Sequence, residues 1–184
     1  MQTARPTTLA FNGMVATSHY LATAAGLQAL GDGGTAADAV IAANAVLTVV
    51  YPDQTSIGGD CFLLYHEAAT GTLHALNGSG RTPRAASAGS IRNAGHEHMP
   101  ARGIHAVTVP GTVDAWSQIA ERFGRLGLDR LLQPAIGYAR EGFPSDPAGA
   151  TAIILANAIL FVAVLSQLVR EAIHIVSYRM MAAA

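Results

Sequence analysis

The sequence predicts an α+β fold. Two stretches with helical spacing, Tyr20 to Leu30 and Ala36 to Val50, precede two short apolar runs, Cys61 to His66 and Thr72 to Leu76, that are separated by a turn. Two more helical stretches follow, beginning near Thr112 and Asp129. Hydrophobic residues make up 51% of the 184 residues, ample for a core in one domain or in a piece of a larger one.

Gly13-Met-Val-Ala-Thr17 reads as a short strand, and Ser18 offers a side-chain acceptor for a helix start. Tyr20 to Leu30 is rich in Ala and Leu, with Leu21, Ala24, Ala25 and Gln28 at helical spacing. Gly31, Gly33 and Gly34 close that helix, because glycine accepts the left-handed geometry of a helix end. Thr35 caps a second helix, and Asp38 suits the reciprocal position of a capping box. From Ala36 to Val50 little is polar besides Asp38, Asn44 and Thr48; a helix apolar all round is normally buried on all sides. Pro52 ends it.

After Ile57-Gly-Gly-Asp60, Cys61 to His66 reads as a strand, Ala68-Ala-Thr-Gly71 as a turn and Thr72 to Leu76 as the returning strand. Residues 77–103 hold many Gly, Ser, Pro, Arg and His and read as a long loop, a feature often functional in compact domains. His105 to Val109 is a further predicted strand. Pro110-Gly111 leads into a helix from about Thr112 to Phe123, with Trp116, Ile119, Ala120 and Phe123 on one face. Gly124 and Gly127 break it. Asp129 to Arg140 is a last amphipathic helix, ended by Gly142-Phe-Pro144. No internal repeat is evident.

Ala148 to Val169 carries no charged residue, and Ile, Leu and Val take over there from Gly and Arg. A compositional boundary near Pro147 divides the chain into 1–147 and an apolar, helical tail, 148–184. The tail is long enough to span a bilayer, although Asn157, Ser166 and Gln167 interrupt it. Three readings stand: a buried helix, a membrane anchor, or non-homologous sequence from a frameshift or truncated gene. The last is preferred because the family likeness given below stops where the composition changes.

Charged residues are only 12%, about half of what is usual. Such a chain either buries much of its surface against something else or meets a membrane. The net charge of −1 leaves no basic stripe for nucleic acid. All eleven basic residues other than histidine are Arg, which excludes a P-loop lysine, a Schiff-base lysine and a Ser–Lys dyad within this chain. Cys61 is alone, which excludes an intrachain disulfide. Met1 to Ser18 shows no basic-then-apolar leader pattern, so a cytoplasmic location is expected.

Several segments occur in a telling order. Gly13-Met-Val-Ala-Thr-Ser-His19 is followed by Ala24-Ala-Gly-Leu27, Gly33-Gly-Thr-Ala-Ala-Asp-Ala39 and Ile57-Gly-Gly-Asp60. Then come Leu76-Asn-Gly-Ser-Gly-Arg-Thr-Pro83, Val109-Pro-Gly-Thr-Val113, Leu132-Gln-Pro-Ala-Ile136 and Glu141-Gly-Phe-Pro144. Each is weak alone; the ordered series, over residues 12–146, closely resembles the start of the large subunit of gamma-glutamyltranspeptidases and the related cephalosporin acylases.

The resemblance implies part of an N-terminal-nucleophile hydrolase αββα sandwich, made as a precursor that cleaves itself. The new N-terminal threonine of a small subunit would attack a gamma-glutamyl amide of the glutathione kind, forming an acyl-threonine ester that is released to water or an amine. Backbone amides would hold the oxyanion. The expected partners are thus a small-molecule gamma-glutamyl substrate and a small subunit; no cofactor is expected. Thr151, the one threonine beyond Thr112, sits in Ala-Gly-Ala-Thr-Ala-Ile, unlike a cleavage site, so no nucleophile is assigned to this chain.

The resemblance makes Arg81 the candidate substrate-binding residue. In the family an arginine of an Arg-Glu-x-Ala-Pro type stretch pairs with the alpha-carboxylate of the glutamyl group, and a planar guanidinium suits that grip. Here the stretch is Gly80-Arg-Thr-Pro83, and the departure at Thr82 allows a divergent acylase branch. The plainer account of Arg81 is a solvated loop arginine. Arg84, beyond Pro83, is the rival.

Other residues weigh towards structure. Gly58 and Gly59 either admit a close backbone approach to a cleft or form a tight turn. Asp60 either orients Arg81 or is a strand-edge carboxylate. Asp38 reads as a cap. Gly31-x-Gly33-x-x-Ala36 fails as a dinucleotide fingerprint because it follows a helix. His96, His98 and His105 lack the spacing of a defined metal site, and His66 and His74 read as surface residues. Cys61, flanked by Phe62, Leu63 and Leu64, reads as an inert core thiol rather than a nucleophile.

The leading expectation is therefore a large-subunit fragment, inactive alone. A non-enzymatic α/β module, tethered to a membrane through the tail, is the alternative. A complete small hydrolase using Cys61 or a histidine is a distant third.

Overall fold

The computed structural model describes residues 7–101, 103–145, 147 and 149–151. Its contacts divide the chain into two compact units, Met1–Phe143 and Pro144–Ala184. In the second unit, the Thr151 hydroxyl donates to the Pro147 carbonyl at 2.7 Å. The rest of the predicted apolar tail lies outside the described residues. No described helix is long and apolar enough to cross a membrane.

The first unit opens with helix α1 (Tyr20–Gly31), which begins as expected, but its cap is His19 and not Ser18. The His19 Nδ1 accepts the Leu21 N–H at 3.2 Å, which satisfies one of the free amides of the first turn. Helix α2 (Ala36–Val50) has the full capping box: Thr35 Oγ1 accepts from the Asp38 N–H, and Asp38 Oδ2 accepts from the Thr35 N–H. Small residues let α1 and α2 approach closely, with Ala22, Ala25 and Ala29 buried on one side and Ala37, Ala39 and Ala43 on the other. Ile41 and Val46 anchor the centre, although α2 is not covered all round, since Val40 is 43% exposed.

Residues 13–17 do not form the predicted strand. A strand needs a ladder partner, and among the described residues the sheet has two strands, neither of them this segment. Those strands are β1 (Cys61–Glu67) and β2 (Thr72–Gly78), antiparallel, in a register running from Glu67 opposite Thr72 to Cys61 opposite Gly78. Gly71 makes the turn with φ +68°. Cys61, Leu63, Tyr65 and Leu76 pack against the helical core, whereas Phe62, Leu64 and Leu73 stand 67%, 72% and 64% exposed.

The predicted loop 77–103 contains a short helix, α3 (Ala88–Asn93), held by reciprocal hydrogen bonds between Ser87 and Ser90. The predicted strand 105–109 is absent as well. Ile104–Ala106 forms one tight 3-10 turn, and the Val109 N–H reaches the Arg81 carbonyl at 3.0 Å. Pro110, which has no N–H, cannot extend that pairing.

Helix α4 (Thr112–Phe123) matches its prediction. Its buried Trp116 and Ile119 join the α2 core, and the Trp116 indole N–H donates to Asn44 Oδ1 at 2.9 Å. The last predicted helix is divided into α5 (Leu128–Leu131) and α6 (Gln133–Glu141). Pro134 lacks the N–H that a continuous helix would direct at the Arg130 carbonyl. Gly142, at φ +86°, ends α6. The layout is thus mixed α and β: a helical cluster with a two-stranded ribbon against one side.

Candidate functional site

The site is assembled from two backbone segments distant in sequence. The Gly59 carbonyl accepts the N–H groups of Gly111 and Thr112, both at 3.1 Å, and the Thr112 hydroxyl at 2.8 Å. Three donors on one carbonyl fix where α4 begins. Neither Gly58 nor Gly59 meets anything closely that a side chain would strike, so the pair forms a turn, and Gly59 acts through its carbonyl.

Beside that anchor, residues 78–81 lie against residues 109–111. A side chain at Gly80 would collide with the Val109 carbonyl, and one at Gly111 with the Gly78 carbonyl. The absence of a Cβ at both positions allows the two backbones to touch. The Val109-to-Arg81 hydrogen bond closes the junction.

An open cleft of about 600 Å³ runs along this junction. Arg81 and Arg84 line it from the loop, and Asp114 and Gln118 line it from α4. Arg81 and Arg84 are both exposed. The rival arginines thus face one space, and the choice between them is not made by burial. The Gln118 Nε2 donates to Asp114 Oδ2 at 2.7 Å, across one turn of α4. Among the described residues the ion pairs are His74–Glu67 and Arg130–Asp32, so neither cleft arginine is paired with a carboxylate.

The other candidates fall elsewhere. Asp60 accepts from the Thr108 hydroxyl at 3.3 Å and does not orient Arg81. His96 and His105 meet edge to face, with centroids 5.7 Å apart. His98 shares a separate hollow of about 350 Å³ with His96, Ile91 and Met99. No three His, Cys, Asp or Glu side chains converge as metal ligands among the described residues. His66 is exposed, but His74 is half-buried, bonded to Glu67 at 3.2 Å and packed on Phe123 at 4.9 Å. Cys61 is also half-buried, and desolvation pushes its thiol above the usual range. Asp38 is fully buried with its oxygens occupied by backbone and hydroxyl donors, the environment of a structural carboxylate.

Sequence reasoning passed over Asp114 and Gln118. The signal available was an Asp and a Gln four residues apart near a helix start, which is common on solvated helices and points to no ligand until the cleft is seen.

A profile of the gamma-glutamyltranspeptidase family matches residues 22–166, so the match runs beyond Pro147. The glutathione hydrolase-like YwrD proenzyme of Bacillus subtilis is 44% identical over 132 residues, covering 71% of this chain and 25% of that protein. Among solved structures, Helicobacter pylori gamma-glutamyltranspeptidase superposes with a TM-score of 0.74 at 30% identity, over 82% of this chain and 44% of the other. Cephalosporin acylase from Bacillus halodurans gives a TM-score of 0.67 at 43% identity, over 71% of this chain and 24% of the other. The chain spans about a quarter of the length of the curated relatives it matches.

Proposed function

This chain belongs to the gamma-glutamyltranspeptidase family, and we propose that it forms the substrate-carboxylate-binding part of an enzyme that hydrolyses or transfers gamma-glutamyl amides. One observation carries the reading: Arg81, the arginine that matches the family motif, lines an open cleft and has no carboxylate partner among the described residues. An unpaired guanidinium in a groove is ready to take a carboxylate through two parallel hydrogen bonds.

The attacking threonine then belongs to a separate small subunit or chain segment. Thr151 does not fit that part. It lies mid-chain, without a free amine, and its hydroxyl is engaged by the Pro147 carbonyl. The acyl-threonine ester would therefore form on a residue outside these 184. By the same reading, β1 and β2 are a part of an αββα sandwich. In support, Phe62, Leu64 and Leu73 are exposed on the outer face while the inner face packs on the helices. A strand apolar on both faces is suited to a sheet covered on both sides.

Two measurements on the purified chain test this. Titration with gamma-glutamyl methylamide should show binding that Arg81→Gln weakens by about 2 kcal/mol, roughly thirtyfold. Unchanged affinity would remove Arg81 from the site. Gamma-glutamyl-p-nitroanilide should release no chromophore with the chain alone; robust release would overturn the separate nucleophile.

A divergent acylase is the second reading. Thr82 after Arg81, where the family stretch has Glu, favours it. Tighter binding of glutaryl amides than of gamma-glutamyl amides would decide for it.

A further inference from the structure

We propose that the hollow enclosed by residues 82–99 binds a small aromatic carboxylate. The proposal stands on this hollow and does not depend on the reading of Arg81.

The hollow is built at the end of α3. Gly95 turns the chain there with φ +86°. Its N–H reaches the Arg92 carbonyl at 2.9 Å, and the His96 N–H reaches the Ile91 carbonyl at 3.2 Å. This double closure satisfies two of the carbonyls that a helix end leaves free, and it returns His96 beside Ile91. The His96 ring is then braced edge to face on His105. Ser87 and Ser90 close the other end of α3. Hydrogen bonds thus hold both ends of the helix that lines the hollow.

Its volume, about 350 Å³, lies at the lower end of the roughly 300–1,000 Å³ in which small-molecule sites fall. Ala86, Ile91 and Met99 supply apolar lining, and Met99 is 60% exposed. An aromatic ring would cover that thioether, a favourable contact for sulfur. Arg92, His96 and His98 supply donors. Among the described residues, these three side chains make no hydrogen bond or ion pair. A guanidinium grips a carboxylate with two parallel hydrogen bonds, and an imidazole adds an N–H. Glu97 is the one carboxylate on the lining and balances Arg92 in formal charge, so the choice between anion and cation is the decisive measurement.

Thr82 lines this hollow as well as the cleft. The family stretch has Glu at that position. A carboxylate there would stand on the wall and oppose an anion by about 1 kcal/mol at 4 Å in water. The departure at Thr82 removes that opposition, so the anion site is a feature of this chain and not of the common pattern.

Benzoate, benzamide and benzamidine share one shape and differ in charge, and each is titrated calorimetrically into the full chain. Benzoate should bind tightest. Arg92→Gln should weaken benzoate about tenfold and leave benzamide within about twofold. Thr82→Glu should bind benzoate about fivefold more weakly than Thr82→Gln, which has the same size without the charge. Arg81→Gln should leave benzoate within about twofold. Circular dichroism checks the fold of each variant; Arg92 is exposed, so its substitution should leave the fold intact. Absence of benzoate binding would overturn the proposal, as would benzamidine binding at least as tightly. Equal loss of benzoate and benzamide in Arg92→Gln would assign Arg92 to the end of α3, and equal affinities of the two Thr82 variants would remove the wall from the site; either result overturns it. Loss of benzoate binding in Arg81→Gln would place the anion in the cleft and overturn it too, while leaving the Arg81 reading standing.

Discussion

The buried carboxylate of Asp38 accepts the backbone N–H of Arg125 at 2.9 Å, joining residues 87 apart in sequence. The same side chain accepts from Leu126 N–H at 3.2 Å, Thr35 N–H at 2.7 Å and the Thr35 hydroxyl at 3.0 Å. The Thr35 hydroxyl, with one proton to give, has the Phe123 carbonyl as its alternative acceptor at 2.8 Å. One carboxylate thus satisfies both the start of α2 and the turn that follows α4. Asp38→Ala would strand these donors in the interior, and hydrogen bonds to a charged group are worth about 1.5–3 kcal/mol each. Urea unfolding should show a loss of about 3 kcal/mol or more, a large fraction of the roughly 5–15 kcal/mol that an ordinary domain has.

Trp116 is the one tryptophan of the chain, and its indole N–H meets Asn44 Oδ1 in the middle of α2. Asn44→Ala leaves a buried donor without its acceptor, at a cost of about 1–3 kcal/mol. The unfolding midpoint should fall, followed by tryptophan fluorescence. Asn44→Asp, which keeps an acceptor oxygen, should recover part of the indole hydrogen bond.

What could be read from sequence is what depends on neighbours a few residues apart. Thr35 and Asp38 announce their capping box, the apolar runs around Gly71 announce the hairpin, and Gly142 announces the end of α6. Segments 13–17 and 105–109 have the composition of strands, yet a strand also requires a partner, which composition does not supply. Ser87 and Ser90 cap α3 with a reciprocal pair in which serine stands where glutamate is usual. The motif singles out Arg81 in the sequence. The cleft it lines is not legible there, because that cleft depends on contact between Gly80 and Val109.

Gly80 and Gly111 allow that contact, and neither needs a positive φ. Gly80→Ala places a methyl group against the Val109 carbonyl, so the two segments must separate. Overpacking of this kind costs about 1–3 kcal/mol. Gly71→Ala provides a contrast: a Cβ there meets nothing, but φ +68° is strained for any L side chain, at roughly 1–2 kcal/mol. Both variants should lower stability. Only Gly80→Ala should also weaken binding of gamma-glutamyl methylamide at the cleft, measured by titration.

Cys61 faces the helical core from the start of β1, half-buried, and burial raises its thiol above the ordinary 9.0. The thiolate is the reactive form, so at pH 7 very little is present. Iodoacetamide should modify Cys61 more slowly than a free cysteine at the same pH, with the rate still climbing above pH 9.0. Fast modification at neutral pH would show that the thiol is activated and would revive its candidacy as a nucleophile.

Glu67 ends β1 with its carboxylate held by the Thr70 hydroxyl at 2.8 Å and by His74 Nε2 at 3.2 Å. These hydrogen bonds, the threonine first, lower its pKa from the ordinary 4.5. A carboxyl whose pKa is lower folded than unfolded stabilises the fold above its unfolded pKa, and that stability is lost as pH falls through the folded one. The wild type should therefore melt higher than Glu67→Gln at pH 7, and the difference should shrink below pH 4.5 and vanish once Glu67 is protonated in both states. The effect should be small because the group is solvated, and added salt should reduce it at neutral pH. His74→Gln should remove part of the same difference, since Thr70 would still hold the carboxylate. A melting difference that stayed constant from pH 7 to pH 3 would mean that Glu67→Gln perturbs packing around Tyr65 and Phe123, whose stacked rings lie 4.2 Å apart on the same side of the ribbon as His74.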